Sequence, residues 1–173
     1  YNTIYIRQDG TIDPPYAPLK KIGNTYKMTS NASATIVIEK NDTIFDANNC
    51  TIESVAATGL LLSSVSNVTI KNLHISGFLT GIRLDLSSNC SLLDNKIESS
   101  GAYSIRLQDS DGNNLLSCNL TNSRFGVYLQ GSNRNVVSDC LSTHSTEAAF
   151  CLDSSSGNII SRDSAQDGRN GFL

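Results

Sequence analysis

The apolar triads of this chain recur at a nearly constant interval. Ile82-Arg83-Leu84 is echoed by Ile105-Arg106-Leu107, Val127-Tyr128-Leu129 and Phe150-Cys151-Leu152, with Leu60-Leu61-Leu62 before them and Phe172-Leu173 after. The first members of these units lie 22, 23, 22, 23 and 22 positions apart. A second series, Ile70, Leu93, Leu116, Val137 and Ile160, steps by 23, 23, 21 and 23. Four positions after three of its members come Ile97, Leu120 and Leu141. Two apolar series sharing one period demand a stacked-repeat architecture, in which each unit buries its apolar side against its neighbours.

The local pattern decides which architecture. The apolar runs are short, alternate with period two and draw on Ile, Val, Leu and Phe, so each reads as a strand. Between them lie turn clusters: Ser-Ser-Asn at 87–89, Ser-Asp-Gly-Asn-Asn at 110–114, Gly-Ser-Asn-Arg-Asn at 131–135 and Ser-Ser-Ser-Gly-Asn at 154–158. No stretch carries a helical stripe, and none fits the leucine-rich consensus. The pattern predicts an all-β solenoid, a parallel β-helix of 22–23 residues per coil with two or three short strands in each. Coils stack about 4.8 Å apart, so the core becomes ladders of like residues. Leu62, Leu84, Leu107, Leu129 and Leu152 are expected to form one ladder, with Arg83 and Asp85 outside. Gly77, Gly81, Gly101, Gly112, Gly126, Gly131 and Gly157 are expected at corners.

Residues 1–34 depart from the period and are expected to form a cap of short strands and turns; Pro14-Pro15 excludes a central strand there. Regular coils are expected over 35–173, ending uncapped at Phe172-Leu173 within a repeat unit. Such an end offers an open edge. Three explanations stand side by side: a fragment of a longer β-helix, protomers stacked end to end, or an end covered by its own residues.

At 173 residues the chain suits one domain with a real core. A net charge of −3 argues against a nucleic-acid partner, which calls for a basic footprint. No apolar run approaches the roughly 18 residues of a membrane span. The chain starts at Tyr1, consistent with a removed leader or an arbitrary boundary. Five cysteines with no CxxC in a small, sequon-rich chain lean towards an oxidising, extracellular setting and away from zinc.

The stretches "TIYIRQDGTIDPP", "IVIEKNDTIFDANNCTI" and "SNVTIKNLHISGFLTGIRL" resemble right-handed parallel β-helix repeat proteins of the pectate-lyase-like, NosD-type group, abundant on archaeal and bacterial surfaces. Some archaeal envelope and sheath proteins are similar in kind. The resemblance implies a right-handed β-helix, and it implies little about activity, because the architecture hosts lyases, hydrolases, isomerases, adhesins and structural proteins. Hydrolases of that superfamily cluster carboxylates on one outer face. Here there is no Asp-Asp, Gly-His-Gly or Arg-x-Lys. Asp85 and Asp153 are expected three coils apart, about 14 Å. Asp139 and Asp163 are expected on adjacent coils beside Arg162. Lyases of the fold use a calcium-binding acidic cluster, for which Asp109, Asp111 and Asn113 are weak candidates, since the same letters make a turn. Arg83 and Arg106 are expected to stack as surface residues. His74 and His144 are lone. No catalytic residue, cofactor or metal site is assigned.

Six N-x-S/T sequons, at Asn31, Asn41, Asn49, Asn67, Asn89 and Asn119, are candidate glycosylation sites, with Asn119 expected to be partly buried. Cys118 and Cys140 lie one period, 22 residues, apart and are disulfide candidates on adjacent coils, the alternative being two buried thiols. Cys151 should face outward, and Cys50 and Cys90 have no evident mate, so these three are candidates for intermolecular bonds. The leading expectation is a non-catalytic, exported structural protein of the cell envelope (sheath, surface layer or filament). It would be its own partner, assembling end to end and laterally through cysteines, Phe172 and Leu173 or glycans. The alternative is an extracellular carbohydrate-binding or polysaccharide-processing module.

Overall fold

The computed structural model describes residues 2–98 and 100–173; Tyr1 and Ser99 lie outside the described residues. The chain contains β-strands and turns. An N-terminal winding holds β1 (Thr3–Ile6), β2 (Ile12–Asp13), β3 (Leu19–Ile22) and β4 (Thr25–Met28). Six three-stranded coils follow. The first is β5 (Thr35–Ile38), β6 (Ile44–Asp46) and β7 (Thr51–Glu53), and the second is β8 (Thr58–Ser63), β9 (Thr69–Lys71) and β10 (His74–Ser76). The third comprises β11 (Thr80–Asp85), β12 (Ser91–Leu93) and β13 (Lys96–Glu98), the fourth β14 (Tyr103–Gln108), β15 (Asn114–Leu116) and β16 (Asn119–Thr121). The last two are β17 (Phe125–Gln130), β18 (Val136–Ser138) and β19 (Leu141–Thr143), then β20 (Ala148–Asp153), β21 (Ile159–Ser161) and β22 (Ser164–Gln166).

The first strands of the coils form sheet A, the second strands sheet B and the third strands sheet C. Each strand pairs in parallel with its equivalents one coil before and after, in the register the period requires. The expected leucine ladder is present: Leu62, Leu84, Leu107, Leu129 and Leu152 stand in register. So do Leu60, Ile82, Ile105, Val127 and Phe150, with Phe172 bridging to Phe150. At about 25 cal/mol per Å2 of apolar surface, burying each such side chain contributes about 1.5–3 kcal/mol.

Sheet B corrects the second apolar series. Ile70 is in register with Leu92, Leu115, Val137 and Ile160, while Leu93 and Leu116 point outward beside Lys71 and Ser138. In the doublets Leu92-Leu93 and Leu115-Leu116 either residue fits the spacing, and only the pairing selects the inward one. In sheet C, Ile52, Ile75, Ile97 and Leu120 continue into Ser142, so Leu141 is turned outward.

The corners explain the chain's wealth of Asn, Asp and Ser. Between sheets A and B, Asp42, Asn67, Asn89, Gly112, Arg134 and Gly157 all have φ between +54° and +67°. Between B and C, Asn49, Asn72, Asp94, Ser117, Asp139 and Arg162 have φ between +53° and +60°. The left-handed region is open to Gly and reached by Asn and Asp at modest cost, which makes these residues the natural corner formers. Gly81 and Gly126, expected at corners, instead sit inside β11 and β17. A Cβ on Gly126 would lie 2.4 Å from the Ala149 carbonyl oxygen, so close approach of the next coil requires glycine there.

The segment expected as a cap is itself wound with the coils. β1 pairs in parallel with β5, β4 with β6, and Ala32 bridges to Ile52. The short antiparallel strands β2 and β3 edge this end, and exposed Lys20 and Lys21 on β3 discourage edge pairing. At the other end, Leu152 N–H donates to Leu173 O (2.9 Å) and Leu173 N–H to Phe150 O (3.0 Å). Ile159, Phe172 and Leu173 remain more than half exposed, at 57%, 57% and 56%.

Candidate functional site

The outer face of sheet A concentrates the chain's chemistry. Alternation along β8, β11, β14, β17 and β20 projects two columns outward. One runs Leu61, Arg83, Arg106, Tyr128 and Cys151; the next runs Ser63, Asp85, Gln108, Gln130 and Asp153. Ahead of them the alternation breaks at two consecutive buried residues, such as Gly59-Leu60 and Ser104-Ile105, and the in-register column before the break carries half-buried Thr58 and Tyr103 with buried Thr80, Phe125 and Ala148. Tyr103, Phe125 and Tyr128 pack into an aromatic cluster, with ring centroids 5.1–5.5 Å apart. The guanidinium of Arg106 lies 5.3 Å from the centre of the Tyr103 ring, and that of Arg124 5.3 Å from Phe125.

Several polar groups on this face pair with a neighbour. Arg83 grips Asp85 through two bonds of 2.8 Å. Arg106 Nη2 donates to Gln108 Oε1 (3.1 Å) and, across the coils, to Gln130 Oε1 (2.8 Å), while its Nε is buried without a partner. Tyr128 donates its hydroxyl to Asp153 Oδ2 (3.0 Å). Burial, then the Asp153 carboxylate, pushes the Tyr128 phenol up to about 12. Burial and Asp153 likewise raise the Cys151 thiol, which leaves it a poor nucleophile at neutral pH. Asp85 and Asp153 stand three coils apart in one in-register column, as the period predicts. The aromatic cluster escaped sequence reading; the available signal was the 22-residue spacing of Tyr103 and Phe125 with Tyr128 in an outward slot.

The corners hold polar ladders. Between sheets A and B, main-chain N–H groups of Val65, Ser87, Ser110 and Ser132 donate to the hydroxyls of Ser87, Ser110, Ser132 and Ser155 one coil later. Beside them, the N–H groups of Cys90, Asn113 and Asn135 donate to the amide oxygens of Asn113, Asn135 and Asn158 at 2.8 Å each. Between B and C the corresponding column reads Cys50, Leu73, Asn95, Cys118, Cys140 and Asp163, the main-chain carbonyls of the first five accepting from the chain one coil on.

These ladders remove the calcium candidate. Asn113 is buried in the corner with its amide donating to Ser87 O (3.0 Å), so it cannot join Asp109 and Asp111 around a cation. Asp111 instead binds Arg134 (3.1 Å) and accepts the Asn133 N–H (2.7 Å). Among the described residues no group of three His, Cys, Asp or Glu is placed to hold a metal ion. Asp139 and Asp163 do lie on adjacent coils with Arg162, but in different columns. Arg162 clasps Asp139 at 2.7 and 2.8 Å and holds its carboxyl down at about 2, aided by Ser138. Asp163 accepts the Cys140 N–H (2.6 Å), its second oxygen is buried without a partner, and burial raises its pKa.

All five cysteines are free thiols. Cys118 and Cys140 are buried in consecutive rungs, and Cys151 and Cys50 are half-buried. Cys90, expected as an intermolecular candidate, is 1% exposed and donates to Ser88 O, so it is closed to a neighbouring molecule. The sequon residues Asn31, Asn41, Asn49, Asn67, Asn89 and Asn119 are all exposed, which corrects the expectation that Asn119 is partly buried. His74 projects outward from β10, and His144 lies 4.0 Å from Asp167 at a corner.

Three parallel sheets wound around a ladder core, with polar corner ladders, define a parallel β-solenoid protein. The chain belongs to the right-handed β-helix family: residues 22–165 match the family described as "Right handed beta helix region". No curated protein matches it. Among solved structures, the crystal structure of the periplasmic alginate epimerase AlgG is similar, at 13% identity and a TM-score of 0.44 over 80% of this chain and 47% of that one. The chain thus spans about half the length of that protein. No described helix is long and apolar enough to cross a membrane.

Proposed function

We propose that the chain is a non-catalytic structural module of an exported cell-envelope protein, a rigid β-helical rod segment that gains length by stacking windings. The observation that carries this reading is the commitment of charged and amide side chains to inter-coil bonds. Arg134–Asp111, Arg162–Asp139, Arg106–Gln130 and the Asn113–Asn135–Asn158 run all tie one coil to the next. Carboxylates held in this way are poorly placed to exchange protons with a substrate. Further windings over β20, β21 and β22, from the same polypeptide or from a second protomer, would bury Ile159, Phe172 and Leu173. Six exposed sequons and the half-buried Cys50 and Cys151 supply points for glycans or lateral cross-links. Electron microscopy of the native envelope fraction, with sedimentation of the purified protein, tests this: ordered arrays or filaments are expected. Dispersed monomers at high concentration together with turnover of a polysaccharide would overturn it.

A second reading, an extracellular carbohydrate-binding surface, is favoured by the half-buried Tyr103 and Tyr128, backed by buried Phe125, beside Arg106 and Gln130. Aromatic faces stack on sugar rings while neighbouring amides and guanidinium groups bond their hydroxyl and carboxylate substituents. Acidic and neutral polysaccharides, each with and without calcium, provide the test. Binding weakened at least tenfold by Tyr128→Ala supports the reading, and equal binding by both proteins removes it.

A further inference from the structure

At the corner between sheets B and C, one rung position is filled in successive coils by Asn95, Cys118, Cys140 and Asp163. The task of this position is to accept the main-chain N–H of the coil before. Asn95 Oδ1 takes the Leu73 N–H at 3.1 Å, and Asp163 Oδ1 takes the Cys140 N–H at 2.6 Å. Between them the acceptor is sulfur: Cys140 Sγ lies 3.4 Å from Cys118 N. Sulfur is a weak acceptor. The neighbouring corner fills the same task with three consecutive amides, Asn113, Asn135 and Asn158. Two thiols in consecutive rungs therefore weaken the ladder, and they need another reason to be there.

We propose that Cys118 and Cys140 are a modification site, closing a disulfide staple between consecutive coils by exchange with an oxidising disulfide. Their 22-residue separation is one winding, which places the Cα atoms about one strand spacing (~4.8 Å) apart, inside the span of roughly 4.4–6.8 Å that a disulfide bridges. Both residues are 1% exposed and turned to the same corner, and Cys140 Sγ accepts from the Cys118 main-chain N–H. No other cysteine competes. Cys50 shares the column but is separated by Leu73 and Asn95, Cys90 stands at the other corner, and Cys151 lies on the outer face of sheet A.

The chemistry balances with a partner disulfide as oxidant. One thiolate attacks the partner's S–S bond, forming a mixed disulfide and expelling one partner thiolate. The second thiolate then displaces the other partner sulfur as the Cys118–Cys140 bond forms. The two cysteines lose two electrons and two protons, and the partner leaves as two thiols. Burial places this exchange during winding, before the corner closes.

The test folds the protein in a mixture of reduced and oxidised glutathione, alkylates free thiols in denaturant, and digests with trypsin and a Glu-specific protease. The expected product joins Leu107–Arg124 to Asn135–Glu147, with Cys50, Cys90 and Cys151 alkylated. Five alkylated cysteines, or Cys118 joined to any other cysteine, would overturn the assignment. In the stapled protein, dithiothreitol is expected to lower the unfolding temperature by about 6–12 °C, as for a closed loop of this size. The double variant Cys118→Asn/Cys140→Asn restores amides to both rungs. It is expected to fold and to lose the response to reductant; a persisting response would place the redox bond elsewhere.

Discussion

Asn135 receives two hydrogen bonds from Asn113, one coil earlier, on a single oxygen: Oδ1 accepts the main-chain N–H at 2.8 Å and the side-chain amide at 3.2 Å. Its own amide donates to Ser110 O (3.0 Å) and Asn158 Oδ1 (3.1 Å). With no exposed surface, none of these groups can turn to water instead. Asn135→Ala strands the Asn113 N–H and is expected to cost about 2–4 kcal/mol. Urea unfolding measures this; a loss under 0.5 kcal/mol would mean that the ladder is not load sharing.

Leu107 lies in the middle of the sheet A ladder with Leu84 and Leu129 above and below it. Replacing it with Ala leaves a cavity that stacked coils cannot collapse around, and about 2–5 kcal/mol should be lost. Leu116→Ala, at an outward position the repeat alone would equate with core, should cost under half as much. Thermal unfolding of the two variants side by side distinguishes the registers.

Gly126→Ala meets two obstacles, with its Cβ placed 2.3 Å from Ser142 Oγ and 2.4 Å from Ala149 O. The expected destabilisation is about 1–3 kcal/mol or more, because the second contact is backbone and cannot swing away. Adding Ser142→Gly relieves only the first. Full rescue by that second change, read by circular dichroism melting, would contradict the tight coil approach.

Asp139 titrates at about 2, below its ordinary 3.8, because Arg162 and Ser138 bond the charged form. A carboxyl lowered by folding adds stability above its unfolded value and loses it as pH falls through the folded one. The contribution therefore vanishes between about pH 4 and pH 2. The pair is exposed, so the effect on stability is small. Carboxylate NMR is the direct check: Arg162→Ala should return Asp139 towards 3.8.

Tyr128 titrates in the opposite sense. Its phenol is raised from 10 to about 12, so folding favours the neutral form, and that contribution holds below pH 10 and fades as pH rises towards 12. Ultraviolet titration should show one tyrosine ionising late, and Tyr128→Phe should remove that step. Asp153→Asn should move it only part of the way back, since burial is the larger cause.

Much of this was legible in the chain. Period and alternation together located the sheet A triads, the outward stacking of Arg83 on Arg106, and the adjacency of Cys118 and Cys140. Legibility failed where one-residue choices were degenerate. Leu92 and Leu93 are equally apolar, and a strand slipped by one residue exchanges its faces. It failed again for Asn113, whose letters suit a cation loop as well as a corner ladder, and for Tyr103 and Phe125, which meet only after the chain winds once around.

The primary structure by itself determined the solenoid: a 22–23-residue recurrence of alternating aliphatics can bury its apolar side only by stacking like on like. Tertiary structure decided which polar residues turn inward as ladders and which remain on the face of sheet A. The reason is physical. Apolar burial follows a periodicity that one strand already displays, whereas a buried amide or thiol is defined by the hydrogen-bonding group one coil away, and that neighbour exists only once the coils are stacked.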